Sequence, residues 1–247
     1  MISLKSEEGL KTLREAGVIL AGIMRQLQKH AKEGIATEDL DKIAQELMQE
    51  AGVVSAFKDY RGFPAHICTS INDEVVHGIP GKRVLEGGDI LSIDAGIKYK
   101  GYFSDTAITV AVGEIGSKQK KLIEVARRSL FEGIKKAKVN NRLTDISYAI
   151  QNYVEKNGFS VVRDFVGHGI GTSLHEAPEI PNFGRPHQGP VLKSGMVFAV
   201  EPMVNMGSWE VIMLDNNWTA ATKDGLASAH FEHTIVITDN GPVILTN

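Results

Sequence analysis

Apolar positions Leu10, Leu13, Gly17, Leu20, Met24, Leu27 and Ala31 recur at a helical period from about Ser6 onward. That spacing puts them on one face and predicts an amphipathic helix. Glu7 and Glu8 fall in its first turn, where acidic groups favour the helix dipole, and Gly34 is a natural stop. A second helix is expected with Thr37 as its N-cap. Leu40, Ile43, Ala44, Leu47, Met48 and Ala51 line one face, and Gly52 ends it. Strand-like stretches follow near 53–57, 66–70, 90–95 and 102–112.

The same order then repeats. A long helix is predicted over 117–137. A second, capped by Thr144, turns Ile146, Ile150, Tyr153 and Val154 inward and stops at Gly158. Strands follow near 161–166, 196–204 and 231–238. Helix pairs with caps and glycine stops are common, so chance competes with duplication here. Order and spacing both repeat, and this favours two related halves closing into one α+β domain over residues 1–247, with a central cleft. The chain has no Ser/Gly-rich linker. The loop 178–190, with four prolines, reads as a rigid surface segment beside that cleft.

Composition adds boundaries. Hydrophobic residues make up 43% and charged residues 23%, as in ordinary soluble globular chains. The formal net charge of -3 gives no support for a nucleic-acid surface. Cys68 is the single cysteine, so no intrachain disulfide can form, and this fits a reducing compartment. The start M-I-S-L-K-S-E-E lacks a secretory apolar segment, and no apolar run is long enough to span a membrane. The expectation is a cytoplasmic protein, and nothing demands more than a monomer.

Five residues stand out as metal ligands. They are Asp94 in S-I-D-A-G, Asp105 in Y-F-S-D-T, His168 in V-G-H-G-I-G, Glu201 in V-E-P-M and Glu232 in F-E-H-T. Four carboxylates and one imidazole suit two divalent first-row cations better than one structural zinc. Asp94 and Asp105 flank a segment with glycines near both ends, which predicts a hairpin carrying both carboxylates on one face. Each could alternatively be a turn-forming Asp. Asp94, however, follows the apolar run I-L-S-I, and a buried carboxylate needs a partner. Glu201 follows the apolar M-V-F-A-V and precedes Pro202, which should end the strand. Glu232 interrupts an alternating strand. An internal salt bridge could explain either one, but neither strand carries a Lys or Arg. The glycines around His168 are expected to let the backbone approach a metal or substrate. His175 lies on the same glycine-rich stretch. His77, before Gly78 and Pro80, is either a turn residue or a group that contacts substrate.

Other chemistries fail on motif. The chain lacks a G-x-S-x-G elbow, an H-E-x-x-H pair and a phosphate-binding G-x-x-x-x-G-K-[ST] loop. Cys68 reads better as a small buried hydrophobe than as a nucleophile.

The segments F-P-A-H-I-C-T-S-I-N-D-E-V-V-H-G-I-P, I-D-A-G-I-K-Y-K-G-Y-F-S-D-T, G-H-G-I-G-T-S-L-H-E-A-P, F-A-V-E-P-M and F-E-H-T span residues 63–234. Together they resemble the type I methionine aminopeptidases in their compact bacterial or organellar form. The resemblance implies the pita-bread fold, an antiparallel sheet flanked by helix pairs with an internal pseudo-twofold. It also implies two divalent ions, for which Co, Mn, Fe(II), Ni and Zn are all acceptable. Asp105 and Glu232 would bridge them, Asp94 would chelate one, and His168 and Glu201 would bind the other. A water activated by the ions would attack the first peptide carbonyl, with Glu201 as general base. His175 would stabilise the tetrahedral intermediate, and His77 would contact the scissile amide.

Phe57, Tyr60, Phe63, Cys68, Leu174 and Trp218 would line the methionine pocket. Phe57 and Leu174 depart from the family's commoner pattern of a smaller residue and an aromatic, which bears on pocket shape. A monovalent cation is implied near Asn72, Glu74 and Ser228. The expected partners are N-terminal methionine peptides of nascent chains with a small second residue. Transient ribosome association is a further expectation with no motif behind it. A proline-specific exopeptidase of the same fold and a non-enzymatic binding module are the competing readings.

Overall fold

The computed structural model describes residues 2–247. The first half runs α1 (Glu7–His30), α2 (Thr37–Glu50), β1 (Val54–Ser55), β2 (Cys68–Ile71), β3 (Glu74–Val76), β4 (Ile90–Tyr99) and β5 (Tyr102–Ala111). The second opens with another helix pair, α3 (Ser117–Ile134) and α4 (Leu143–Lys156). Short strands follow: β6 (Ser160–Val161), β7 (Gly167–Gly169), β8 (Glu176–Ile180), β9 (Val197–Val200), β10 (Met203–Asn205), β11 (Val211–Met213), β12 (Ala220–Thr222) and β13 (Ser228–His230). The chain ends in β14 (Glu232–Thr238) and β15 (Gly241–Ile244).

Ser6 caps α1, its hydroxyl accepting from the Gly9 amide at 3.2 Å. The cap expected at Thr37 is not there, because Thr37 is the first helical residue and Ala36 stands at the cap. The Thr37 hydroxyl reaches across the fold, accepting from Gly81 N–H at 2.9 Å and donating to its carbonyl at 3.0 Å. Thr144 behaves in the same way. Helix α4 begins at Leu143, and the Asp145 carboxylate accepts from the Arg142 amide at 2.8 Å. The Thr144 hydroxyl instead binds both backbone groups of Gln188. Both threonines tie a helix start to a distant loop, a long-range competitor that local capping rules do not register.

Helices α1 and α2 bury Leu20, Leu27 and Leu40 against Leu91 and Ile93 of β4. Helices α3 and α4 bury Leu130, Ile146 and Ile150 with Phe198 of β9 and Ile235 of β14. Each helix pair thus covers the sheet of its own half. The strands run β1-β4-β5-β14-β9-β7-β8 across a nine-stranded antiparallel sheet, and the halves join where β5 meets β14. The strand expected over 161–166 shortens to Ser160–Val161, and the one over 196–204 breaks at Glu201 and Pro202. Proline cannot donate to the ladder, so the break falls where the apolar run ends. The proline-rich loop is also shorter than expected, since 178–180 belong to β8.

Register decides where the polar residues go. Cys68, Asp94, Ala107 and Glu232 share one rung across β2, β4, β5 and β14. Thr234, Ala199 and His168 share another across β14, β9 and β7. Side chains alternate faces with period two. Asp105 is two residues from Ala107, Glu232 two from Thr234, and Glu201 two beyond Ala199. Parity therefore sends Asp94, Asp105, His168, Glu201 and Glu232 to one face.

Candidate active site

That face floors a cleft of about 290 Å³. Its lining includes Asp94, Asp105, His168, Glu201, Glu232, His77 and His175. Phe57, Tyr60, Phe63, Cys68, Leu174 and Trp218 line it as well. Every residue singled out for catalysis, metal ligation or the side-chain pocket thus meets in one cavity. Sequence reasoning missed His230, Arg61, Asp164 and Phe165, which also line it. A signal existed for His230: in the alternating H-F-E it stands two residues before Glu232, which favours the same side.

Single ligand atoms of Asp105, His168 and Glu232 lie within 4.8 Å of one another, close enough to share an ion. His168 Nδ1 is 2.9 Å from the Gly169 carbonyl, to which it donates. The Nε2 lone pair is thereby left free for a cation. That nitrogen lies 3.4 Å from Glu201 Oε1. Gly167 and Gly169 are required by the strands on either side. A Cβ on Gly167 would strike the Ala199 carbonyl, and one on Gly169 the Ala177 carbonyl. The glycines let β7 fit between its two neighbouring strands.

The electrostatics of the cluster fit a cation. Asp94 Oδ1, Asp105 Oδ1 and Glu232 Oε1 are buried with no hydrogen-bond partner. Among the described residues, no Lys or Arg pairs with any of the four carboxylates. Burial pushes the Asp94 carboxyl up to about 7. Burial, reinforced by the neighbouring carboxylates, drives Asp105, Glu201 and Glu232 well above the usual range. Uncompensated charges of this kind are costly. Two dications would offset four carboxylates. Burial also holds His168 and His77 down to about 4, so both are neutral at pH 7.

His77 sits at φ 60, a left-handed conformation that is costly for a residue other than glycine. Its ring meets Phe165 edge-on at 5.5 Å, and its carbonyl accepts from Thr219 Oγ1. The strained residue stands on the wall of the cleft. His175 lies on the exposed rim, 4.3 Å from His168 ring to ring, and its Nδ1 is 2.9 Å from the Tyr60 hydroxyl. Desolvation, with Arg61 adding to it, lowers the His175 pKa. Phe57, Phe63, Cys68 and Leu174 are buried together, and Phe63 meets Trp218 edge-on at 5.2 Å. Of the residues implied for a monovalent cation, Asn72 and Ser228 meet through a 2.8 Å backbone hydrogen bond. The Glu74 carboxylate accepts from the Ile71 amide and faces Arg83.

Comparison with known proteins matches residues 11–239 to metallopeptidase family M24. The chain belongs to this family. It is 54% identical to a methionine aminopeptidase of Clostridium perfringens, covering 100% of this chain and 99% of that one. The crystal structure of a methionine aminopeptidase from Thermotoga maritima superposes with a TM-score of 0.99 at 44% identity, covering 100% of both chains. A prolidase from Pyrococcus furiosus superposes with a TM-score of 0.81 at 23% identity, over 99% of this chain and 65% of that one. The last likeness is one of fold alone. Among the described residues no helix is long and apolar enough to cross a membrane.

Proposed function

We propose that this chain removes the N-terminal methionine from polypeptides by metal-dependent hydrolysis. The observation that carries the reading is the orphaned carboxylate cluster on the floor of an apolar cleft. Asp94, Asp105, His168, Glu201 and Glu232 would hold two divalent ions. Bound there, the ions would supply Lewis acidity, making water more acidic and polarising a carbonyl.

The chain's own groups do the rest. Glu201, whose Oε1 stands 3.4 Å from His168 Nε2 in the cleft, accepts the proton of the attacking water. Tyr60 donates its hydroxyl hydrogen to His175 Nδ1, which leaves the imidazole proton on Nε2. That N–H donates to the carbonyl oxygen as negative charge develops on it. Neutral His77 contacts the scissile amide. Phe57, Tyr60, Phe63, Cys68, Leu174 and Trp218 enclose the thioether side chain, where sulfur–aromatic contacts add about 0.3–1.5 kcal/mol each.

The test compares Met-Ala-Ser with Ala-Pro, each with Mn²⁺ and after chelation. Release of methionine from the tripeptide alone, abolished by chelation, is the expected result. Preferential cleavage of Ala-Pro would favour a proline-specific exopeptidase, and no cleavage of either a binding module. A monomer that touches ribosomes transiently belongs to the same reading, and cosedimentation at low salt tests it.

A further inference from the structure

Glu201 lies between two imidazoles. Its Oε1 is 3.4 Å from His168 Nε2, and its Oε2 is 3.7 Å from His230 Nε2. His168 is in the proposed ligand set, whereas His230 has no role in the mechanism above. His230 is 2% exposed, and its Nε2 is buried with no hydrogen-bond partner. A buried polar nitrogen left unpaired is costly, so the atom calls for an explanation.

The backbone around His230 is fixed on both sides. Its amide donates to Thr109 Oγ1 at 2.8 Å, and its carbonyl accepts from the same hydroxyl at 2.8 Å. Strand β13 pairs it with Met203, two residues beyond Glu201. The ring is thus held beside the point where β9 gives out, and the carboxylate oxygen facing it is Glu201 Oε2. Glu201 in turn is free of strand pairing, and its carbonyl accepts from Asn182 Nδ2 at 2.9 Å. A small rotation of its side chain would bring 3.7 Å into hydrogen-bond range.

We propose that His230 is a positioning residue for Glu201: its Nε2–H donates to Oε2 and turns Oε1 toward His168 and the cleft. This rests on the proposed function for its catalytic consequence, but not for its effect on cation binding. One carboxylate oxygen is then fixed from behind, and the other is presented to an ion and to water.

Mn²⁺ titration by calorimetry, without substrate, reads the role directly, alongside methionine release from Met-Ala-Ser. H230L should weaken Mn²⁺ binding by about 10–100-fold and lower kcat with little change in KM. H230Q keeps a donor at similar reach and should stay near wild type in both. In an E201A background, H230L should have no further effect on Mn²⁺ affinity, because the two residues act as one unit. If H230L does not fold by circular dichroism, H230N, polar but too short to reach, takes its place with the same expected losses. Wild-type Mn²⁺ affinity and kcat in the folded variant would overturn the proposal. So would an undiminished effect in the E201A background. If the wild type itself fails to cleave Met-Ala-Ser, the proposed function falls, while the Mn²⁺ isotherms still decide the role of His230.

Discussion

The Tyr60 hydroxyl stands 2.9 Å from His175 Nδ1, tying the pocket wall to the imidazole on the cleft's rim. Tyr60 was legible in the sequence only as a wall of the side-chain pocket. The contact spans 115 residues, so no local pattern announces it. Y60F retains the wall and removes the hydrogen bond. We expect kcat for Met-Ala-Ser to fall about 10-fold, the equivalent of one modest hydrogen bond, with KM little changed. Steady-state kinetics check this, and a change confined to KM would assign Tyr60 to the pocket alone.

Asp94 provides a pH test. Its carboxyl is raised from 3.8 to about 7 by burial. A raised carboxyl binds its proton more tightly in the folded state. Its contribution to stability is therefore complete below 3.8 and is lost as pH rises through about 7. D94N removes the charge that burial penalises. In the metal-free protein, D94N should be more stable than wild type by on the order of 2–4 kcal/mol at pH 8, and equal to it near pH 3.5. Comparing the two proteins cancels the opposing titration of the buried histidines. Denaturant melts in chelator at several pH values check this.

Lys5 and Glu176 form a nearly buried ion pair at 2.5 Å, with side chains 5% and 15% exposed. Glu176 also accepts from the amides of Thr172 and Ser173, so the pair pins the loop that carries Leu174 and His175. K5M leaves a buried carboxylate short of its cation and should cost about 3 kcal/mol of stability. Thermal melts and the kcat of the folded variant check it, and a loss of stability without any loss of kcat would show that the loop keeps its shape unaided.

Cys68 lies on the rung with Asp94, buried, and burial together with the nearby carboxylates raises its thiol well above the ordinary value. A buried, protonated thiol is a poor nucleophile. Iodoacetamide should leave the native protein unmodified at pH 7.5, and C68S should retain turnover within a few-fold. Mass spectrometry and a kinetic assay check the two.

Much of the site was legible because its signals are local. The alternation around Asp94 and Asp105 announced a hairpin, and the apolar run before Glu201 announced a costly buried carboxylate. The structure places both as expected. What local pattern could not supply was partnership at long range. Thr37 and Thr144 looked like caps but bind Gly81 and Gln188. The glycines beside His168 make room for the carbonyls of Ala199 and Ala177, a packing need that no local pattern announces. Strand β7 is three residues long and is held between β8, which follows it directly, and the more distant β9. His230 became visible as a neighbour of Glu201 only once β13 was laid against β10.

The proposed joint action of Asp94, Asp105, His168, Glu201 and Glu232 is to hold the cations that drive hydrolysis. Its most direct test is methionine release from Met-Ala-Ser by D105A beside wild type, both folded and both at saturating Mn²⁺. Asp105 reaches both His168 and Glu232, so its loss should lower kcat by at least about 10³-fold. Turnover equal to wild type in the variant would contradict the account.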